Sequence, residues 1–191
     1  SYLLFMNPLK EISDYKVVFY EKVMGEIIED ARAFEIDSIL AVGPFDQAKR
    51  TLERIGYRVA SLEENARLRM HYGPDHDVSR NENWVREGFL YVPRKGKFLT
   101  KANPIMEHPI KATNAHRSGN DFYLTDRQVE RSLEDSVEIS TNEISIDSFG
   151  EDALTSYAFG EYAKAYGEFL REARIDSMPI YTGNFEDKPF V

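Results

Sequence analysis

The sequence predicts an α/β or α+β fold: a mixed sheet with helices packed on it. Two strand–helix–strand units, about 38–60 and 137–181, are expected to flank a basic β-hairpin at about 84–101. Three observations carry this expectation. Ile36 to Val42 is a short apolar run with β-branched residues, which suits a strand covered on both faces. Beyond Gly43 and Pro44, Ala48, Leu52 and Ile55 recur at i, i+4 and i+7, one stripe of a helix, and Tyr57 to Val59 returns to strand-forming types. Helix-opening patterns of the form Ser/Thr-x-x-Glu/Gln stand at Ser61, Thr125 and Ser148.

Composition sets the outer bounds. The 191 residues fit one domain, 1–191, with a small lobe or insertion at 71–121. The absence of cysteine excludes disulfides, thiolate nucleophiles and thiolate metal ligands, and it fits a reducing, cytoplasmic setting. A net charge of −9 argues against nucleic-acid binding over the whole surface. No apolar run is long enough to span a bilayer, so no membrane partner is expected. The opening Ser1 to Met6 carries an apolar patch without the basic stretch of a signal peptide.

In chain order, Ser13 to Phe34 shows apolar residues at three- and four-residue steps (Val17, Tyr20, Met24, Ala31, Phe34) and predicts a long helix. Val-Val-Phe-Tyr at 17–20 offers a strand as the alternative. Asp46 is the expected N-cap of the next helix, and Gly56 stands where a helix end needs positive φ. The capping box at Ser61 and Glu64 opens a short helix to about Met70. His71 to Asn83 is polar, holds Gly73 and Pro74, and predicts a loop that moves unless something ties it down.

The hairpin at 84–101 turns at Pro93-Arg94-Lys95-Gly96. Asn103 to Asn120, punctuated by Pro104, Pro109 and Gly119, predicts an irregular connection. A helix follows from Thr125 to about Asp135, and Val137 to Ile146 alternates as a strand or strand pair broken near Asn142. The pattern at Ser148 opens an aromatic helix to about Arg174, with Met178 to Tyr181 as a last strand. Ala153, Gly160 and Gly167 lie seven residues apart on that helix. They permit close approach, either of the protein's own sheet or of a second subunit in a homo-oligomer.

Chemistry-bearing residues gather in the middle third. All four histidines fall between 71 and 116, with acids near them. His71, Asp75, His76, Asp77, His108 and His116 are the candidate ligands for a divalent metal, since imidazole and carboxylate suit zinc, manganese or iron(II). Their spacing matches no ligand signature, and polar loops collect such residues for solvation alone. The second gathering is basic. Residues 80–117 hold eight Lys or Arg against three acids, a local +5 that leaves −14 for the remainder. Arg86, Arg94, Lys95, Lys97 and Lys101, interleaved with Trp84, Phe89, Tyr91 and Phe98, are the candidate site for an anionic ligand or nucleic acid. The competing explanation is a hairpin whose cations guard its edge and whose rings fill a core.

No serine-nucleophile or glycine-rich phosphate motif is present. Two functions are therefore expected. One is a non-catalytic interaction or assembly protein that meets its partner through the 71–121 hairpin and loops. The other is a metal-assisted hydrolase, or a binding protein, for a phosphate-bearing small molecule or nucleic acid.

Overall fold

The computed structural model describes residues 2–11, 30–33, 36–81, 83–180 and 189. It is an α+β arrangement of helices with largely antiparallel sheets. The first sheet is built on β1 (Tyr2–Glu11), with β2 (Asp30–Ala33), β3 (Ile36–Val42) and β4 (Arg58–Val59) in the order β2-β3-β1-β4. The pairs in that order are antiparallel, and β5 (Asn83–Trp84) joins β1 in parallel.

Helix α1 (Phe45–Arg54) connects β3 to β4, so the strand–helix–strand reading of 36–60 holds for the elements. It does not hold for their adjacency, because β1 lies between the two strands and is antiparallel to both. The predicted helix 13–34 lies mostly outside the described residues. Its last part is corrected, since Asp30–Ala33 is a strand paired with Ile39 to Val42. Ladder pairing overrides the helical period of so few residues.

Local chemistry explains the helix ends. Ser61 and Glu64 form the expected capping box of α2 (Leu62–Tyr72), and Thr125 and Gln128 form that of α6 (Asp126–Glu134). Asp46 is not the N-cap of α1. Pro44 holds that position without a side-chain bond, and the Asp46 N–H donates to Thr113 Oγ1 at 3.1 Å. Nor does Ser148 cap the aromatic helix. Residues Ile146–Ser148 form a 3₁₀ turn, and Asp152 caps α7 (Ala153–Phe159) by accepting from Leu154 and Thr155 N–H.

Two further expectations are corrected. The connection at 103–120 contains α4 (Pro104–Glu107) and α5 (Pro109–Arg117), each with proline in its first turn, where the missing N–H costs nothing. The second strand–helix–strand unit is not a parallel crossover. β9 (Glu143–Ser145) and β10 (Ser177–Pro179) pair antiparallel as a separate ribbon. The aromatic helix between them breaks at Gly160 (φ 55°), continuing as α8 (Ala163–Glu172) after a 3₁₀ turn.

The polar loop at 71–83 is tied down. It contains α3 (Asp77–Arg80), whose Val78 is fully buried. Ser79 Oγ donates to the Gly73 carbonyl at 2.7 Å, and Asn83 Nδ2 donates to the Val78 carbonyl at 2.6 Å.

The hairpin forms from β6 (Gly88–Val92) and β7 (Gly96–Thr100), shorter than the expected 84–101 because Trp84 pairs with β1 instead, and β8 (Ser136–Glu138) adds to β7. Its register decides the packing. Leu90 faces Phe98, and Val92 faces Gly96; Leu90, Val92 and Phe98 pack in a cluster with Ile39, Leu52, Tyr57 and Val129. Leu99 and Val137 pair on the opposite face, in a second cluster with Ile144, Phe149, Phe159 and Tyr166. One small sheet thus serves two cores, because successive side chains leave a strand on opposite faces.

The small-residue row on the aromatic helix meets the protein's own chain. A Cβ on Gly167 would lie 3.1 Å from Phe149 Cβ, and one on Gly160 would lie 2.9 Å from Glu63 Oε2 of α2. Its partners are thus a helix and the chain before α7 rather than a sheet. Phe149 is fully buried, so Gly167→Val is expected to overpack this contact and cost about 1–3 kcal/mol. Thermal unfolding should show a fall of several degrees that Glu168→Val, on the exposed side of α8, does not reproduce. Equal melting of the two variants would show that Phe149 is free to move.

Candidate functional site

The six candidate metal ligands fall in two places, around Tyr72 and at α5. His71 ends α2 at an exposed position, with its ring edge-on to Tyr72 at 4.7 Å. His76 stacks on Tyr72 at 4.4 Å, and its Nδ1 accepts from the Val78 N–H, capping α3. Asp75 pairs with Arg80 at 2.9 Å, and Asp77 opens α3. His108 sits between α4 and α5 with its ring stacked toward Phe122 at 6.4 Å, and His116 is exposed near the end of α5. Among the described residues, no group of three or more His, Cys, Asp or Glu is placed to hold a metal ion. The structure does not bring these six into one centre.

Four of the five candidate anion-binding cations divide into two groups. Arg86 and Lys101 stand at the base of the hairpin, and Arg94 and Lys95 at its tip. A five-residue strand separates them by about 14 Å. Lys97 lies between, paired with Tyr91 and engaged with a neighbour.

The base is a polar junction that the sequence does not announce. Glu87 is only 7% exposed, and its Oε2 accepts from the Leu62 N–H at 2.8 Å, at the start of α2. Arg58 grips both oxygens of Glu64, with Nη1 to Oε2 at 2.7 Å and Nη2 to Oε1 shorter still. Lys101 Nζ lies 4.4 Å from the centre of the Tyr157 ring. The Tyr157 hydroxyl donates toward the Asp135 carbonyl at 2.6 Å and Oδ1 at 2.9 Å, and it accepts from the Lys101 N–H at 3.0 Å. Burial and the Asp135 carboxylate push the phenol well above its ordinary range, so it stays protonated.

Burial acts alike on the two carboxylates of the junction, but their net shifts are opposite. Burial raises the Glu87 pKa, against the pull of the Leu62 N–H, its own N–H, Arg86 and Lys101. Burial also works to raise Glu64, but Arg58, the Ser61 N–H and Arg86 together hold it below the ordinary carboxylate value. Linkage gives the signs. For Glu87, the favourable contribution is complete below the unfolded-state pKa and is lost as pH rises through the folded-state pKa. For Glu64, it is complete above the unfolded-state pKa and is lost as pH falls through the folded-state pKa.

The tip has a different character. The Lys95 N–H donates to the Val92 carbonyl at 3.0 Å, closing a four-residue turn from Val92 to Lys95. Arg94 is third in that turn, at φ 65°. A positive φ there marks the type II arrangement, which favours glycine or asparagine. The expected turn is thus displaced by one residue: Gly96 opens β7, and an arginine takes the left-handed position, at a strain of about 1–2 kcal/mol. The other non-glycine residue at positive φ among those described, Arg174, follows the end of α8, where this conformation is customary.

Exposed aromatic rings accompany the hairpin. Phe89 is 54% exposed and Trp84 39% exposed, the latter ring 5.9 Å from Phe45. The register puts Phe89 opposite Leu99, on the sheet face of Tyr91, Lys97 and the second core, whereas Phe98 is turned into the first core. Elsewhere a groove of about 470 Å³ is lined by Asp46, Lys49, Arg50, Glu53 and Arg54 of α1 and by Pro109. Its charges partly answer each other, Lys49 meeting Glu53 at 2.5 Å.

Comparison with known proteins gives no match to a family model, to a curated protein or to a solved structure. Among the described residues, no helix is long and apolar enough to cross a membrane. Sequence reasoning missed the roles of Glu87 and Tyr157, because their partners Leu62 and Asp135 are distant in sequence. Glu87 flanked by Arg86 in a strand-forming stretch was the one available sign.

Glu87→Gln retains an oxygen for the Leu62 N–H and removes the charge. Urea unfolding should find it more stable than the parent at pH 7.5, with the difference closing toward pH 4. A variant weaker than the parent at pH 7.5 and equal at pH 4 would show that the junction needs the ionised carboxylate.

Proposed function

We propose that the protein is a non-catalytic interaction module that engages its partner through the β6–β7 hairpin. The observation that carries this is Phe89, a large apolar side chain that is 54% exposed although its cross-strand partner Leu99 is buried in the second core. Interfaces are enriched in such aromatic anchors and in arginine. Trp84 and Arg86, both exposed, precede it in the chain, and Arg94 and Lys95 extend the basic character to the tip. The junction at the base ties the hairpin to α2 and α7, which would present the ring on a rigid support. The proposal takes the chain as one domain, because both core clusters draw residues from the same three-stranded sheet.

A buried Phe89 would cost several kcal/mol to remove, whereas an exposed anchor costs little in the free protein. Phe89→Ser is therefore expected to unfold within about 0.5 kcal/mol of the parent. A photo-crosslinking residue at position 89, in cells that produce the protein, should give discrete protein adducts. The same residue at 127, exposed on α6, should give none. Strong destabilisation by Phe89→Ser, or equal labelling from both positions, would overturn the proposal.

A further inference from the structure

The groove beside α1 lies apart from the hairpin, and its charges have an imbalance of their own. We propose that it binds a small-molecule phosphate monoester, with Arg50 and Arg54 on the phosphate. Its volume of about 470 Å³ falls in the range of small-ligand sites. Most of its lining is one face of α1. Asp46, Lys49, Arg50, Glu53 and Arg54 recur at three- and four-residue steps, over about 12 Å of helix. Pro109, in the first turn of α5, completes the lining. The two helices are fixed to each other: the Asp46 N–H donates to Thr113 Oγ1 at 3.1 Å, and Thr113 is buried.

The charges of the lining do not cancel. Lys49 meets Glu53 at 2.5 Å, and those two answer each other. Asp46 stands four residues before Arg50, the spacing of a helical ion pair. Yet among the described residues the two form no pair, and Asp46 Oδ1 is buried without a hydrogen bond. Arg50 and Arg54, both exposed, have neither a hydrogen bond nor an ion pair among the described residues. They are like charges one turn apart, an arrangement that disfavours a helix. Arg54, in the last turn, suits the negative end of the helix dipole. Arg50, in mid-helix, has no such reason. An anion between the two guanidiniums turns their repulsion into a shared attraction.

The chemistry of the anion follows from the donors. Two guanidiniums present two forks of N–H groups, each able to make paired hydrogen bonds. A phosphate monoester supplies three acceptor oxygens and a charge of about −1.5 to −2, more than one carboxylate can offer. The Asp46 carboxylate, nearer the start of α1, disfavours a second anionic group at that end. One phosphate on an uncharged body therefore fits, with the body lying toward Pro109 and the alkyl stems of the cations.

Calorimetric titration of the full chain with phenyl phosphate, at physiological ionic strength, tests this. A Kd below about 1 mM is expected. Benzoate, phenol and inorganic phosphate should each bind at least fivefold more weakly. Arg50→Gln and Arg54→Gln keep a good helix former at an exposed position, so both should melt with the parent. Each should weaken phenyl phosphate at least fivefold, and the double variant should bind none. Arg94→Gln/Lys95→Gln removes the same charge from the hairpin tip and should leave the affinity within twofold. Benzoate binding as tightly as phenyl phosphate, or equal losses in the two double variants, would overturn the proposal. So would a parent that shows no saturation by about 10 mM.

Discussion

The pairing register of β6, β7 and β8 is the constraint on which the described structure depends. Leu90 opposite Phe98 and Leu99 opposite Val137 commit alternate residues of one ribbon to two apolar clusters. A slip of one residue would send Leu90 toward the second cluster and Leu99 toward the first, with Lys97 and Thr100 moving against their surroundings. Thr100 shows how closely the register is specified. It is fully buried, and its hydroxyl lies 2.7 Å from the Ser132 carbonyl, a bond available on one face only. The hairpin that looks from sequence like an appendage is therefore the partition between the cores.

A partition needs fixed ends, and polar chemistry supplies them at the base. Glu87 accepts from the first N–H of α2, and Tyr157 of α7 meets Asp135 and the main chain of Lys101. Each bond closes a gap of at least twenty residues in sequence, so the junction ties together elements that apolar packing alone leaves free to slide. It costs something in return. Burial works against the charge on both Glu87 and Glu64, and only Glu64 has a two-pronged guanidinium to offset it. That asymmetry follows from geometry: Arg58 reaches Glu64 directly, whereas Arg86 and Lys101 act on Glu87 without a direct bond.

What the sequence made legible was local. The capping boxes at Ser61 and Thr125, the positive φ of Gly56 and the hairpin all depend on residues within a few positions of each other. What it hid was decided at a distance. β1 carries the first sheet, yet Tyr2 to Glu11 becomes a central strand only through partners at 36–41 and 58–59. Pro104 and Pro109 act as helix starters rather than breakers, since proline is equally at home in a turn and in a first helical turn. Ser148 was the expected cap of the aromatic helix, but Asp152 caps it, and Phe149 between them packs into the second cluster. The candidate site divides in the same way. Basic residues on a hairpin were readable, but their separation into a base and a tip required the pairing.

That separation also bears on why a chain of net charge −9 carries a basic hairpin at all. If the cations served only to balance the acidic remainder, each should act on a nearby carboxylate, as Arg86 and Lys101 do on Glu87. The tip does not follow this pattern. Pairing it internally would have required an acid on β7 or β8 near the turn, and Glu138, whose Oε1 would lie 3.7 Å from a Cβ on Gly96, comes close. Yet Arg94 is held in a left-handed backbone conformation, in a position where glycine would relieve the strain and asparagine would tolerate it. Charge balance within the fold accounts for the base. The tip is strained and exposed, and this explanation does not reach it.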